Sequence, residues 1–204
     1  MKIEAVCFDM DGTLIRNTDS VRYLCMLNNN LEELEEVERR QDIGSISWIE
    51  SDYLKAELIE DLELAAVKEE FENHIRLIEN IGQVLKFLKK QRIFSVLLTA
   101  GPTQVANILG TEFGFDCVYG SEYEVKNGKF TGEITSHLGN EGKLSCVKAV
   151  CATNNISLDH CVAIGDSESD IAIFENCGRS IAVNYCDTLK GKASEYIKTD
   201  DLAD

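Results

Sequence analysis

The sequence predicts an α/β protein: an open, doubly wound parallel sheet, with a small helical insert after the first strand and a β-hairpin further on. Three observations point there. Short apolar runs of strand length alternate with longer segments whose apolar residues recur every three or four positions, the pattern of a parallel sheet covered by helices on both faces. One long stretch breaks that alternation and shows helical pattern only. The length, 204 residues, suits one core domain carrying a smaller insert.

Taken in order, the first strand candidate is Ile3–Phe8. Residues 15–75 follow with no convincing strand, and they include the acidic run Leu31–Glu38. That run reads as a solvated helix face. The spacing then predicts a helix over Ile81–Gln91, a strand over Ile93–Leu98 and a helix over Thr103–Phe113, with Pro102 where a helix can start. A strand at Cys117–Tyr119 precedes two alternating stretches, Glu122–Ile134, that flank Asn127-Gly128. Asn-Gly between alternating segments is a hairpin signal. A helix over Lys143–Thr153, a strand over Cys161–Ile164, a helix over Glu168–Asn176 and a strand over Ser180–Val183 complete the series. Gly178 stands where a C-cap glycine belongs. Right-handed crossovers would join these strands into one sheet. The core is therefore expected to comprise residues 1–14 and 76–204, and the helical cap residues 15–75.

Composition narrows the function classes. Hydrophobic residues make up 44% and charged residues 27%, which fits a packed protein and not a disordered one. Acidic side chains outnumber basic ones 36 to 20, a net charge of −16. Such a surface repels phosphate backbones and anionic lipid, so neither nucleic acid nor membrane is expected as a partner. Residues 15–75 alone hold 16 acidic and 6 basic side chains. No apolar stretch reaches the roughly 18–20 residues of a spanning helix, and the N-terminal residues lack an export-signal pattern. The 8 cysteines include no C-x-x-C pair, and Cys7, Cys117 and Cys161 sit in apolar runs. Buried free thiols in a reducing compartment, the cytoplasm, are the expectation. The sequence offers no handle on oligomeric state.

In parallel α/β sheets, ligands bind beyond the carboxyl ends of the strands. Here those positions hold Asp9-Met10-Asp11-Gly12-Thr13, then Thr99-Ala100-Gly101, then Gly165-Asp166-Ser167-Glu168-Ser169-Asp170, with Lys143 opening the helix before the last of these strands. Asp9, Asp11, Asp166 and Asp170 gathered at one edge repel one another, and Lys143 cannot neutralise all four. A hard divalent cation would, and Mg²⁺ suits a site with few carboxylates and room for water and a phosphate oxygen. Metal and Lys143 together would let the edge accept a phosphate dianion. The Thr99 hydroxyl and the Ala100 and Gly101 amides would cradle it. EF-hand and P-loop spacings are not met, because the required glycines are missing.

These residues resemble the four motifs of the haloacid dehalogenase-like hydrolase superfamily: FDMDGTL (8–14), LLTAG (97–101), Lys143 and GDSESD (165–170). The hairpin VKNGKFTGEI (125–134) is similar to that of phosphoserine phosphatases and their relatives. The resemblance implies that Asp9 is a nucleophile forming an aspartyl-phosphate, and that Asp11 is general acid and then general base. It implies that Thr99 and Lys143 hold the phosphoryl group, while Asp9, the Asp11 backbone carbonyl and Asp166 bind Mg²⁺ with support from Asp170. The second aspartate, Asp11, sets the chain apart from the carbon–halogen-cleaving branch. The implied activity is hydrolysis of a small phosphomonoester, phosphoserine or similar. Phosphotransfer to an alcohol and non-catalytic phosphate binding are the alternatives.

The chain departs from the phosphoserine phosphatase pattern at the substrate end. Thr18, beside Asp19, fills the slot of a glutamate; Lys55 stands for an arginine; Thr-Ala-Gly replaces Ser-Gly-Gly; Ser169 replaces an asparagine. Lysine lacks the bidentate fork that matches a carboxylate. Arg16 and Lys55 are the leading candidates for substrate contact from the insert. Trp48, Tyr53 and Phe71 are expected in the insert's core. His74, His137 and His160 are isolated, and no role is assigned to them.

Overall fold

The computed structural model describes residues 2–204. Its sheet has 7 strands in the order β4-β3-β2-β1-β5-β6-β7. They are β1 (Ala5–Asp9), β2 (Phe94–Pro102), β3 (Cys117–Lys126), β4 (Lys129–Ser136), β5 (Cys161–Gly165), β6 (Arg179–Val183) and β7 (Glu195–Ile197). Every pairing is parallel except the β3–β4 hairpin.

The period-two alternation of β1 sorts the two layers. Ala5 and Cys7 face one apolar cluster with Leu144, Val147 and Val150 of α8 (Asn140–Asn154) and Ile173 and Phe174 of α9 (Ile171–Asn176). Val6 and Phe8 face the other, with α6 (Ile81–Gln91) and α7 (Thr103–Phe113). Phe8 is 1% exposed and meets Phe115 edge-on at 5.7 Å; truncating it to alanine would cost about 3–5 kcal/mol. Asp9 continues the parity of Ala5 and Cys7. It therefore emerges on the α8 side, where Lys143 approaches.

Between β1 and α6 lie only helices: α1 (Ser20–Leu27), α2 (Leu31–Asp42), α3 (Trp48–Glu57), α4 (Leu64–Glu69) and α5 (Phe71–His74). A capping box at Ser47 and Glu50 starts α3. Tyr23, Leu24, Leu34, Ile59, Val67 and Phe71 of this segment join the Phe8 cluster. The two chain crossings into the segment bond to each other, Arg16 N–H to the Arg76 carbonyl at 2.9 Å and Ile78 N–H to the Leu14 carbonyl at 2.8 Å. Three further backbone bonds tie it to the hairpin: Asp61 to Phe130, Phe130 to Leu62, and Leu64 to Gly128, at 2.8–3.0 Å.

Several expectations need correction. The hairpin's first arm is not separate from the third strand, because β3 runs unbroken from the sheet into the hairpin. Strand β2 passes Leu98 and, after a register shift, pairs Pro102 with Ser121. Helix α8 begins at Asn140, so Lys143 lies inside its first turn. Glu168–Asp170 is a tight 3₁₀ turn ahead of α9. Gly178 is no left-handed C-cap, since it has no positive φ; a Cβ there would overlap the Asp159 backbone, so packing space is what requires glycine. The three-residue edge strand β7 is too short and polar to read from periodicity, and its pairing with β6 creates it. All 8 cysteines are free thiols. Among the described residues, no helix is long and apolar enough to cross a membrane.

Candidate active site

The strand ends bring the acidic motifs together. Carboxylate oxygens of Asp9, Asp166 and Asp170 lie within 4.8 Å of one another. Lys143 reaches in from α8, fully buried, and donates to Asp9 Oδ1 at 2.6 Å, Asp170 Oδ1 at 2.8 Å and Ser169 Oγ at 2.9 Å. The other oxygen of Asp170 accepts from the Asp166 and Ser167 amides at 3.1 and 3.2 Å. Asp170 thus has both oxygens engaged and acts as a brace between Lys143 and the Asp166 turn. Gly12 has φ +81°, and a Cβ there would overlap the Asp166 carboxylate, so only glycine permits both the turn and the approach.

Among the described residues, two buried carboxylate oxygens have no protein partner: Asp9 Oδ2 and Asp166 Oδ1. A buried carboxylate oxygen left unpaired is costly, and here two belong to neighbouring acids. Burial pushes Asp9 up to about 7, with Lys143 opposing and the Asp170 charge adding to the rise. Burial, and then the charges of Asp9 and Asp170, push Asp166 up to about 8. Burial also works against the Lys143 ammonium, but Asp170 and Asp9 outweigh it and raise its pKa above the ordinary range. One cation is therefore satisfied while two buried carboxylate oxygens of the cluster still lack a positive partner. Oxygen donors in that arrangement fit Mg²⁺.

Asp11 points elsewhere. Its Oδ1 accepts from the Ser20 amide at 2.7 Å, and its Oδ2 accepts from Ser20 Oγ at 2.6 Å and lies 3.4 Å from Thr99 Oγ1. Burial and the Asp19 charge raise it to about 7 against the Ser20 bonds. Asp19 caps α1 through the Arg22 amide, and that cap sets the Ser20 amide over the end of β1. Thr99 is 1% exposed, and its Oγ1 accepts from the Gly101 amide at 2.9 Å. The Gly101 amide is thus already spent on Thr99, a correction to the three-donor cradle; Ala100 borders the crevice.

The crevice holds about 220 Å³. Asp9, Asp11, Thr99, Ala100, Gly101, Ser167 and Ser169 line it from the sheet side, its inner end, while Asp19, Val21, Trp48, Asp52 and Lys55 line it from the helical segment, its outer end. A larger, mostly apolar groove of about 920 Å³ runs between α4 and α7; it lacks the buried acids, so the chemistry and not the volume selects the site.

Of the two insert candidates, Lys55 borders the crevice. Arg16 turns away to the Gly12 carbonyl and toward Asp200. Trp48 and Tyr53 are not core residues: Trp48 lines the crevice and Tyr53 is 43% exposed, whereas Phe71 is buried. Sequence reasoning missed Ser20, Asp52 and His137. The cap-forming Asp19 was the one local signal for Ser20. Asp52 and His137 meet across 85 positions, and no local pattern announces such a contact.

Residues 6–175 match the haloacid dehalogenase-like hydrolase family, and the chain belongs to it. Within that family it is similar to phosphoserine phosphatases. It is 27% identical over 200 residues to the phosphoserine phosphatase of Archaeoglobus fulgidus, a match covering 97% of this chain and 57% of that protein. With the phosphoserine phosphatase of Methanocaldococcus jannaschii it shares 25% identity over 202 residues, 98% of this chain and 95% of the other. The chain thus spans little more than half of the first relative and nearly all of the second. A solved structure of a substrate-bound phosphoserine phosphatase complex superposes with TM-score 0.86 at 24% identity, covering 100% of this chain and 96% of the other. A phospho-aspartyl intermediate analogue of phosphoserine phosphatase gives TM-score 0.85 at 24% identity, covering 100% and 97%. At that identity the superpositions establish the fold.

Proposed function

We propose that the chain is a Mg²⁺-dependent phosphomonoesterase that hydrolyses a small phosphorylated metabolite, phosphoserine or similar, through an aspartyl-phosphate on Asp9. One observation carries the reading: Asp9 and Asp166, whose carboxylates cluster with that of Asp170, each keep a buried, partnerless oxygen, while the neighbouring lysine is already shared by Asp9 and Asp170.

Asp9, Asp166 and the Asp11 backbone carbonyl would hold the metal, whose charge would offset the repulsion between carboxylate and phosphate. Lys143 keeps Asp9 oriented and supplies fixed positive charge at the phosphoryl group. Thr99 offers its hydroxyl to a phosphoryl oxygen. Asp9 attacks phosphorus as the bond to the leaving oxygen breaks, and Asp11 gives its proton to that oxygen. Asp11 then takes a proton from the water that attacks the acyl-phosphate, releasing phosphate and restoring Asp9. A carboxyl group with a pKa near neutrality suits both halves of that cycle. The Ser20 bonds aim Asp11 toward the outer end, where the leaving group would sit. Residues 15–75 serve as a cap that shields the acyl-phosphate from stray water, and Lys55 meets an anionic group of the substrate.

The test is phosphate release from a panel of phosphomonoesters, phosphoserine included, followed by rapid acid quench and mass analysis. The expected result is Mg²⁺-dependent release and a phosphate adduct on the peptide containing Asp9. Release without an adduct would overturn the mechanism. Product transferred to an added alcohol in place of release would make the chain a phosphotransferase.

A further inference from the structure

His137 lies in the short link between β4 and α8 and is bound at both ends. On the backbone side, the Leu138 amide donates to Ser121 Oγ at 2.8 Å, and that hydroxyl donates to the Ala100 carbonyl at 2.6 Å. The link is thereby fixed to the inner end of the crevice. On the side-chain side, His137 Nε2 meets Asp52 Oδ2 of α3 at 2.8 Å, with the two side chains 9% and 19% exposed. The imidazole also packs against Trp48 and Tyr53, at centroid distances of 5.2 and 5.9 Å. Gly139 makes room for the indole, since a Cβ there would touch it at 3.4 Å.

Trp48, Asp52 and Lys55 are spaced as i, i+4 and i+7, so they share one face of α3, and all three line the outer crevice. That face meets the link before α8 through the His137 ring. A hydrogen bond from an imidazole to a mostly buried carboxylate is stronger than an exposed ion pair. Removing the ring would leave Asp52 without its partner and Trp48 without its packing surface.

We propose that His137 is a positioning residue for substrate selection. It holds Asp52, and with it the Trp48–Lys55 face of α3, over the part of the crevice that receives the leaving group. The inference rests on the phosphatase reading above and adds to it a determinant of selectivity that lies outside the reacting groups.

The test uses the full chain with Mg²⁺ and compares wild type, His137→Ala and His137→Gln. Hydrolysis is measured on phosphoserine, phosphoethanolamine and glycerol 3-phosphate, and on p-nitrophenyl phosphate, whose leaving group lacks the amino, carboxylate and hydroxyl groups of the other three. The readout is the ratio of kcat/KM for the best polar substrate to kcat/KM for p-nitrophenyl phosphate. His137→Ala should lower that ratio about tenfold, mainly through KM, and His137→Gln, which keeps an N–H donor, should recover much of it. An equal loss on all substrates, or a wild type without preference for any polar substrate, would overturn the proposal. Failure of the wild type on every substrate would instead sink the phosphatase reading. A second measurement needs no turnover. Trp48 is the chain's only tryptophan, so its emission should shift to the red and become easier to quench with acrylamide in His137→Ala. Unchanged emission would overturn the contact itself.

Discussion

The two ends of the crevice are built on different principles. At the inner end, side chains of Asp9, Lys143 and Asp170 are 5%, 0% and 0% exposed, and each is fixed by where a strand stops or a helix begins. At the outer end, one face of a helix from a distant segment is held over the opening by side-chain contacts, and those side chains are partly open to solvent. The sheet can tolerate no freedom in the first group, because unpaired charge there is expensive. The second group can vary as long as α3 still docks. The proposed reaction chemistry thus sits at strand termini, and the proposed selectivity in the docking of a separate helical layer.

If that contrast holds, the inner end should fail abruptly. Asp9→Asn should reduce phosphate release by at least about 10³-fold without lowering the melting temperature, since it removes one of the crowded buried charges. A variant within about tenfold of wild type would break the assignment. Lys143→Met should leave Asp9 and Asp170 without their cation and cost about 3–5 kcal/mol in urea unfolding. A loss under about 1 kcal/mol would mean that the pairs carry no structural weight.

The third expectation concerns pH. Burial pushes the carboxyls of Asp9, Asp11 and Asp166 up to about 7, 7 and 8, above their ordinary value of 3.8. Between those limits these three groups bind more protons in the folded than in the unfolded state, so their contribution to stability falls as pH rises from about 4 to about 8. Magnesium would replace those protons at Asp9 and Asp166. The rise in melting temperature on adding Mg²⁺ should therefore grow from pH 5.5 to pH 8, as a thermal-shift series would read. A rise that shrinks with pH would contradict this. The smallest effect belongs to the insert's surface. Glu36, paired with Arg39 on α2 at 55% and 62% exposure, should change stability by less than about 0.5 kcal/mol when replaced by alanine.

The same division explains what could be read from residues alone. The boundaries of α6 and α7 agree with the periodicity because Ile81, Leu85 and Leu88, and Val105, Ala106 and Leu109, form continuous buried stripes. The clustering of Asp9, Asp166 and Asp170 follows from a rule about strand ends that needs no tertiary detail. What escaped depends on pairing between distant parts. Strand β7 exists because β6 offers an edge, β2 extends because Ser121 receives Pro102, and Arg16 is captured by the Gly12 carbonyl. Trp48 and Tyr53 looked like core residues because aromatic side chains at helical spacing usually are; here they cover His137 instead.

The central claim is that Asp9 and Asp166 share a divalent cation. Calorimetric titration of Mg²⁺ into the wild-type chain and into Asp166→Asn at pH 8 addresses it directly. The account expects one ion per chain in the wild type and at least about tenfold weaker binding in the variant. Equal binding by both proteins, or none by the wild type, would contradict it.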